Sequence, residues 1–245
     1  MKISKYFEIS KGTVPIVLSC PHGGYKEPKR IPNKTMGTQN PDRNTYFIAK
    51  QILWELSNRE IHLYYILNKI HRSKVDVNRP PRSTLAFNKT SVEAKNIHQL
   101  FHDQLLNLSQ ECIQHYGKAL VIDFHGFTKP YAGYPDIIFG NVFGKTLKIL
   151  ENPQVENCDK YWGCSQLYNE ITKSFSLDDG LALSDINIAY SGGYITHRFY
   201  NIPKVNAIQL EVAKFIRMEK EFTTKFIMSI VNGIVNISIG LKNSS

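Results

Sequence analysis

Two histidines stand where chemistry is easy to build. His22 lies in Pro21-His-Gly-Gly24 and His125 in Asp123-Phe-His-Gly126, each behind an apolar run and each followed by glycine. Neutral imidazole is a good zinc ligand, and a catalytic zinc site takes three protein ligands and keeps a position open for water. The following glycine lets the backbone crowd around a small centre. The third ligand would be a carboxylate or another histidine. Taken singly, each histidine reads better as a satisfied loop or core residue. Two of them at strand ends in one chain bring metal ligation level with that reading. Asp123 lies two residues before His125, on the same face if the strand continues. There it could accept the other ring N–H and orient the imidazole; an ion pair with a nearby cation fits the spacing equally well.

Glu211, inside Ala207-Ile-Gln-Leu-Glu-Val212, alternates with apolar residues in a predicted internal strand. An unpaired buried carboxylate is expensive, so Glu211 faces either a cleft or a partner. Beside a metal-activated water it would be a natural general base; on an edge strand it would be a surface acid. The polar stretch His71-Arg-Ser-Lys-Val-Asp-Val-Asn-Arg79 follows another predicted strand. Asn78 and Arg79 suit a carboxylate, Arg as a planar fork of donors and Asn as a neutral one. Arg72 could stabilise charge developing on a carbonyl oxygen. A solvated basic loop is the plainer reading, and Pro80-Pro81 favours a loop. Ser191-Gly-Gly-Tyr-Ile-Thr-His-Arg198 adds a Gly-Gly turn, a candidate substrate lid, and a further arginine.

The elements that must position these residues alternate. Val14–Cys20, Ile61–Leu67, Ala119–Phe124, Asp136–Phe139 and Lys204–Val212 read as strands, the long ones as apolar runs. Asn44–Leu56, Val92–His115, Cys164–Phe175 and Phe222–Ile239 carry apolar residues at helical spacing, and Gly117 ends the second of them. Apolar strands alternating with helices imply a parallel or mixed sheet covered on both faces. Such sheets hold their ligands outside the carboxyl ends of the strands, where both histidine motifs fall.

With 245 residues, the chain is long enough for one large domain and a substantial core. Thirteen Phe and thirteen Tyr exclude a disordered chain. Four scattered cysteines are too few for a disulfide framework. Together with the absence of an apolar leader or an uninterrupted membrane-length run, they predict a cytoplasmic protein without a membrane partner. The formal charge is +9, yet no block of Lys or Arg occurs. Dispersed charge suits a small anionic ligand better than a nucleic acid. Cysteine catalysis is disfavoured because Cys20 is adjacent to Pro21-His22 in the chain. No G-x-S-x-G elbow, P-loop or dinucleotide fingerprint is present.

Pro21-His-Gly-Gly24, Asp42-x-x-Thr45, Arg72…Asp76-Val-Asn-Arg79, Asp123-Phe-His-Gly126, Gly192-Gly-Tyr194 and Gln209-Leu-Glu211…Arg217 together resemble the N-formylglutamate amidohydrolase family, in its order, from about residue 14 to 217. That family is similar to zinc carboxypeptidases and to aspartoacylase and succinylglutamate desuccinylase enzymes. The resemblance implies a single domain over residues 1–245, a three-layer α/β/α sandwich around a mixed, mostly parallel sheet. It also implies one zinc per chain, held by His22, His125 and a third ligand. In carboxypeptidases that ligand is a Glu three residues after the first histidine, but Tyr25 stands there in this chain. Asp42 of the Asp-x-x-Thr motif takes its place, with Glu27 as the rival. Glu211 would be the general base and Arg72 the carbonyl-polarising arginine. Asn78, Arg79 and, with a less certain role, Arg198 would bind substrate, and Asp76 and Asp123 would stand behind the ligands. The implied reaction is hydrolysis of a small anionic N-acyl amino acid such as N-formyl-L-glutamate. The alternatives are a carboxypeptidase-like or other deacylase activity at the same zinc site, or a non-catalytic binding protein on that scaffold. The sequence carries no signal for oligomeric state.

Overall fold

Alternate residues of the central strands go to opposite faces, and both faces are covered. In the computed structural model, which describes residues 3–242, seven strands form one sheet. They are β1 (Phe7–Ser10), β2 (Ile16–Cys20), β3 (Tyr64–Asn68), β4 (Ala119–Phe127), β5 (Ile137–Gly140), β6 (Leu177–Asp178) and β7 (Val205–Ala213). Their order is β1-β3-β2-β4-β7-β5-β6. Four of the six neighbouring pairs are parallel, β1 with β3 and β5 with β7 being antiparallel, so the sheet is mixed and mostly parallel.

One core lies on the side of α1 (Thr45–Ser57), α3 (Cys164–Ile171) and the long α6 (Lys220–Lys242). It takes Ile16 and Leu18 from β2, Leu120, Ile122 and Phe124 from β4, and Ile208, Leu210 and Val212 from β7. The opposite core, under α2 (Val92–Tyr116), takes the intervening residues Val17, Val121 and Ala207. This alternation between two buried faces is why the strands read as unbroken apolar runs. α2 starts at Ser91, whose hydroxyl accepts from the Ala94 N–H, and ends at Gly117 in the left-handed conformation, as the sequence predicts. α6 is long and apolar enough to cross a membrane by length and composition, which the sequence reading had not singled out. Its Phe226, Ile230, Val231, Ile234 and Ile237 are buried in the first core instead.

The structure departs from the sequence reading at several element ends and in its short elements. β4 continues to Phe127, so His125 is a strand residue and not a residue beyond the strand. The helix expected over 164–175 stops at Ile171. β1, β6 and the short helices α4 (Tyr194–His197) and α5 (Lys214–Met218) were not anticipated, because elements this short carry too few periods to be recognised. On the α2 side, β4 and β7 turn polar towards their carboxyl ends, Val121 giving way to Asp123 and His125, and Ala207 to Gln209 and Glu211. The opposite face stays apolar to the end. An apolar core therefore lies directly beneath the polar half. Phe124 stacks on Phe226 of α6 with centroids 5.8 Å apart, and both are fully buried. Phe124→Ala is expected to cost about 3–5 kcal/mol in urea unfolding, whereas Leu183→Ala, at a 71% exposed position, should stay within about 0.5 kcal/mol.

Candidate metal and active site

The parallel register of β4 and β7 places Asp123 opposite Gln209 and His125 opposite Glu211. β2 contributes Ser19, opposite Asp123, and carries the chain to His22 just beyond its end. The third wall is Asp42. Its backbone N–H donates to the His22 carbonyl at 3.0 Å, and its own carbonyl accepts from the Thr45 hydroxyl at 2.7 Å. The Asp-x-x-Thr spacing is thus the turn that starts α1 and delivers a carboxylate to the sheet.

His22, Asp42 and His125 each offer one ligand atom, and these atoms lie within 4.8 Å of one another. Asp42 Oδ2 is 3.4 Å from Nδ1 of His22 and 3.4 Å from Nδ1 of His125. Those separations match the edge of a tetrahedron with metal–ligand bonds of roughly 2.0–2.1 Å. The far nitrogens are already assigned. His22 Nε2 lies 2.7 Å from Asp76 Oδ1, and His125 Nε2 lies 2.8 Å from Asp123 Oδ2. An ionised carboxylate only accepts, so both Nε2 atoms carry hydrogen and, in the neutral rings, both Nδ1 lone pairs face Asp42. His22 Nδ1 is buried with no hydrogen-bond partner. An unsatisfied nitrogen beside a second imidazole and a carboxylate fits a divalent cation.

The supporting groups are also buried. Asp123 accepts from the Ser19 hydroxyl at 2.8 Å. Asp76 accepts from Arg72 Nε at 2.9 Å and faces the Lys34 ammonium at 3.5 Å. Arg72 also donates to Asp42 Oδ1 at 3.2 Å. Despite burial, His22, Arg72 and Lys34 hold Asp76 well below the usual carboxylate range, and His125 with His22 do the same for Asp42. Burial opposes charge on His125, but the Asp123 carboxylate prevails and lifts that imidazole well above its ordinary range. Glu211 goes the other way. Burial, partly offset by His125, pushes it up to about 6. Its Oε1 accepts from Gln209 Nε2 at 2.8 Å, while its Oε2 is buried without a partner.

His22, Asp42, Arg72, His125, Gln209 and Glu211 line a cavity of about 380 Å³, which also includes Asn78, Arg79, Tyr190, Gly192, Gly193 and Arg217. Two glycines are required by close approach. A Cβ on Gly126 would meet the Arg217 guanidinium at 2.3 Å, and one on Gly193 would meet the Asn78 amide at 2.2 Å. Arg217 is buried with no carboxylate at contact distance among the described residues, donating to the backbone carbonyls of Val212, Arg43 and Phe127. Burial lowers its pKa.

The expected site residues fall unevenly on this geometry. His22, Asp42, His125, Asp76, Asp123, Arg72 and Glu211 are brought together as one network. Between the two rival third ligands, Asp42 is in the cluster and Glu27 is exposed outside it. Asn78 reaches the site, but its amide is largely committed. Its oxygen accepts from the Ile195 N–H at 2.9 Å and its nitrogen donates to Gln209 Oε1 at 3.2 Å. Its 3.4 Å approach to His125 Nε2 sets two hydrogen-bearing nitrogens side by side and is a contact only. Arg79 is exposed at the cavity mouth. Arg198 departs from its expected place. It lines a separate small cavity with His102, Leu105 and Phe199, because α4 turns it towards α2 and away from the β4–β7 cleft.

The family model described as N-formylglutamate amidohydrolase matches residues 84–218, more than half of the chain, including His125, Gln209 and Glu211. The chain belongs to the N-formylglutamate amidohydrolase family. It resembles the crystal structure of N-formylglutamate amidohydrolase from Ralstonia eutropha JMP134 with a TM-score of 0.67 at 14% identity, covering 98% of this chain and 99% of that one. A gene product of Agrobacterium tumefaciens is similar with a TM-score of 0.62 at 14% identity and 96% coverage of both chains. At such identities the two likenesses establish the fold over the whole chain, including the His22 and Asp42 segments that lie outside the family match. No curated protein is a significant match. Membership in an N-formylglutamate amidohydrolase family identifies the chain as an amide-cleaving hydrolase.

Sequence reading missed Lys34, Gln209 as the partner of Glu211, and His98 and His102 behind Asn78. For Lys34 no local pattern existed to read. For the other three the signal was a polar residue interrupting an apolar stripe. If the cluster is a metal seat, purified protein should carry about one divalent ion per chain. His125→Ala and Asp42→Ala should lose it and Glu27→Ala should retain it, measured by elemental analysis after dialysis.

Proposed function

We propose that the chain is a zinc-dependent amidohydrolase that cleaves the acyl amide of a small anionic N-acyl amino acid, such as N-formyl-L-glutamate. The observation that carries this reading is the convergence of three ligand atoms beside a buried, unpartnered oxygen of Glu211. Two imidazoles and one carboxylate are a donor set that suits zinc. The chemistry supplied by such an ion when bound is Lewis-acid polarisation of the acyl carbonyl and acidification of the attacking water.

The chain's own residues supply the rest. Glu211 Oε2 takes the proton from the water and passes it to the leaving nitrogen, the task of a general acid–base with a pKa near neutrality. Gln209 holds the other oxygen, so only one basic lobe is presented. Arg72 is fixed by Asp76 and Asp42 through two of its five N–H donors. Its remaining donors stabilise negative charge on the acyl oxygen. Arg79, which has no ion-pair partner among the described residues, anchors the substrate carboxylate at the mouth, with Asn78 as a neighbouring donor. Asp76 and Asp123 fix the tautomers of His22 and His125 and so aim their lone pairs.

The test is a side-by-side assay of N-formyl-, N-acetyl- and peptide-linked glutamate on zinc-loaded protein, with preference expected for an N-acyl amino acid. A preference for the peptide would transfer the reading to a carboxypeptidase-like enzyme, and no hydrolysis of any would remove it. Arg72→Ala should lower kcat roughly a hundred- to thousandfold with little change in KM. If KM alone rises, Arg72 is not the oxyanion donor. Glu211→Gln should retain the metal and lose about a hundred- to ten-thousandfold in turnover.

A further inference from the structure

α2 carries two buried histidines one turn apart, His98 and His102, beside the core residues Ile97, Phe101 and Leu105. Imidazoles on a core-facing stripe are costly unless their N–H groups find acceptors. His98 Nε2 lies 2.8 Å from the Arg79 carbonyl oxygen, and His102 Nε2 lies 2.8 Å from the Val77 carbonyl oxygen. A carbonyl only accepts, so both nitrogens carry hydrogen and both rings are Nε2–H tautomers. The i,i+4 spacing is one that metal-binding helices use, but these Nε2 atoms are occupied by protons and cannot be ligands. Burial drives both rings to the neutral form, His102 down to about 3.

The two acceptors flank Asn78, and the two donors stand one helical i,i+4 step, about 6 Å, apart along α2. Val77–Arg79 is a turn running into a bend. Residues 77–79 belong to no strand, so the sheet does not satisfy these carbonyls. The same rings touch Tyr194, the residue after the cavity-lining Gly193. Tyr194 packs on His102 at 5.0 Å and on His98 at 6.1 Å. Tyr194 begins α4 between Gly193, whose N–H donates to Gln209 Oε1 at 2.7 Å, and Ile195, whose N–H donates to Asn78. One pair of side chains therefore sits behind both segments that close on Gln209 and Glu211.

We propose that His98 and His102 are positioning residues, a two-point clamp on the Val77–Arg79 backbone that sets Arg79 to receive the substrate carboxylate. The clamp rests on the reading of Arg79 as that carboxylate's anchor. It acts on binding and not on the acyl-transfer chemistry.

The test uses the full chain with His102→Met and His98→Met, which remove the donor, and His102→Gln and His98→Gln, whose amide reaches about as far as Nε2. His102→Asn, with a shorter amide, replaces the Met variant if that one fails to fold. With N-formyl-L-glutamate and zinc-loaded protein, the Met variants should raise KM about tenfold with kcat within about threefold, and the Gln variants should recover most of the loss. Calorimetry with L-glutamate on metal-free protein should give the same ranking without turnover. The combination of Arg79→Ala with His102→Met should bind no more weakly than Arg79→Ala alone, since the clamp works through Arg79. Losses that multiply, a fall in kcat at constant KM, or Gln variants no better than Met would overturn the clamp. An Arg79→Ala variant with unchanged KM and L-glutamate affinity would remove the carboxylate reading and the clamp with it. An effective Arg79→Ala beside silent His variants would remove the clamp alone.

Discussion

The Asp42 carboxylate between two imidazoles is the contact on which the site depends. It joins the end of β2, the start of α1 and the end of β4, and it does so inside a cluster of buried acids. Asp42, Asp76, Asp123 and Glu211 are all buried around the cavity, against the buried cations Lys34 and Arg217 and the largely buried Arg72. With neutral imidazoles, four acids face three cations, and one charge is left to be balanced. Without metal, a proton on His125 meets that demand, and the Asp123 carboxylate holds it there by lifting that imidazole well above its ordinary range. A dication in the same place does so while leaving both rings neutral. Metal and proton then compete for the same lone pairs, as expected of a seat whose ligands must be deprotonated.

That balance constrains the surrounding fold more than the ligands themselves do. Each imidazole needs its rear nitrogen held, so Asp76 and Asp123 must be buried. Each of those acids needs donors, hence Arg72, Lys34 and Ser19. The strand register supplies the Asp123 side directly, since β2, β4 and β7 run parallel with Ser19, Asp123 and Gln209 across from one another. The Asp76 side comes from a loop and has no sheet to hold it. Its Asp76 N–H donates to the Ala86 carbonyl at 2.6 Å, and α2 secures the following carbonyls. A removed partner on either side would strand an acid in the interior, which costs more than the lost hydrogen bond.

The legible part of the molecule was what the backbone periodicity carries. The central strands and long helices could be read because buried strands are apolar runs and helices repeat their apolar positions. The family's spacing brought Asp42 into the ligand set, and the turn at Thr45 is the physical reason that spacing exists. Illegible were contacts between residues distant in the chain. Nothing local ties Lys34 to Asp76, or Gly126 to Arg217. Asn78 was legible as a polar residue near the site, but its commitment to Ile195 and Gln209 depends on where the Gly192-Gly193 turn folds back. Arg198 followed a motif into the right segment and was placed elsewhere by the direction of a four-residue helix.

Net charge misleads about how this site would choose an anion. The excess of +9 is spread over the surface, where salt screens it within about 8–10 Å. In and behind the cavity the cations are mostly committed to the protein's own groups: Arg72 to Asp76 and Asp42, Lys34 to Asp76, and Arg217 to backbone carbonyls. Of the three arginines lining the cavity, Arg72, Arg79 and Arg217, Arg79 alone has neither an acid nor a backbone carbonyl bound to its guanidinium among the described residues. On the proposed reading, selection for a carboxylate falls on one exposed guanidinium held by its backbone. A long side chain on a loop loses much of its binding energy to its own freedom unless the loop is fixed. On that reading, rigidity at Val77–Arg79, more than the number of positive charges, decides how well an anionic amide would be held against Glu211.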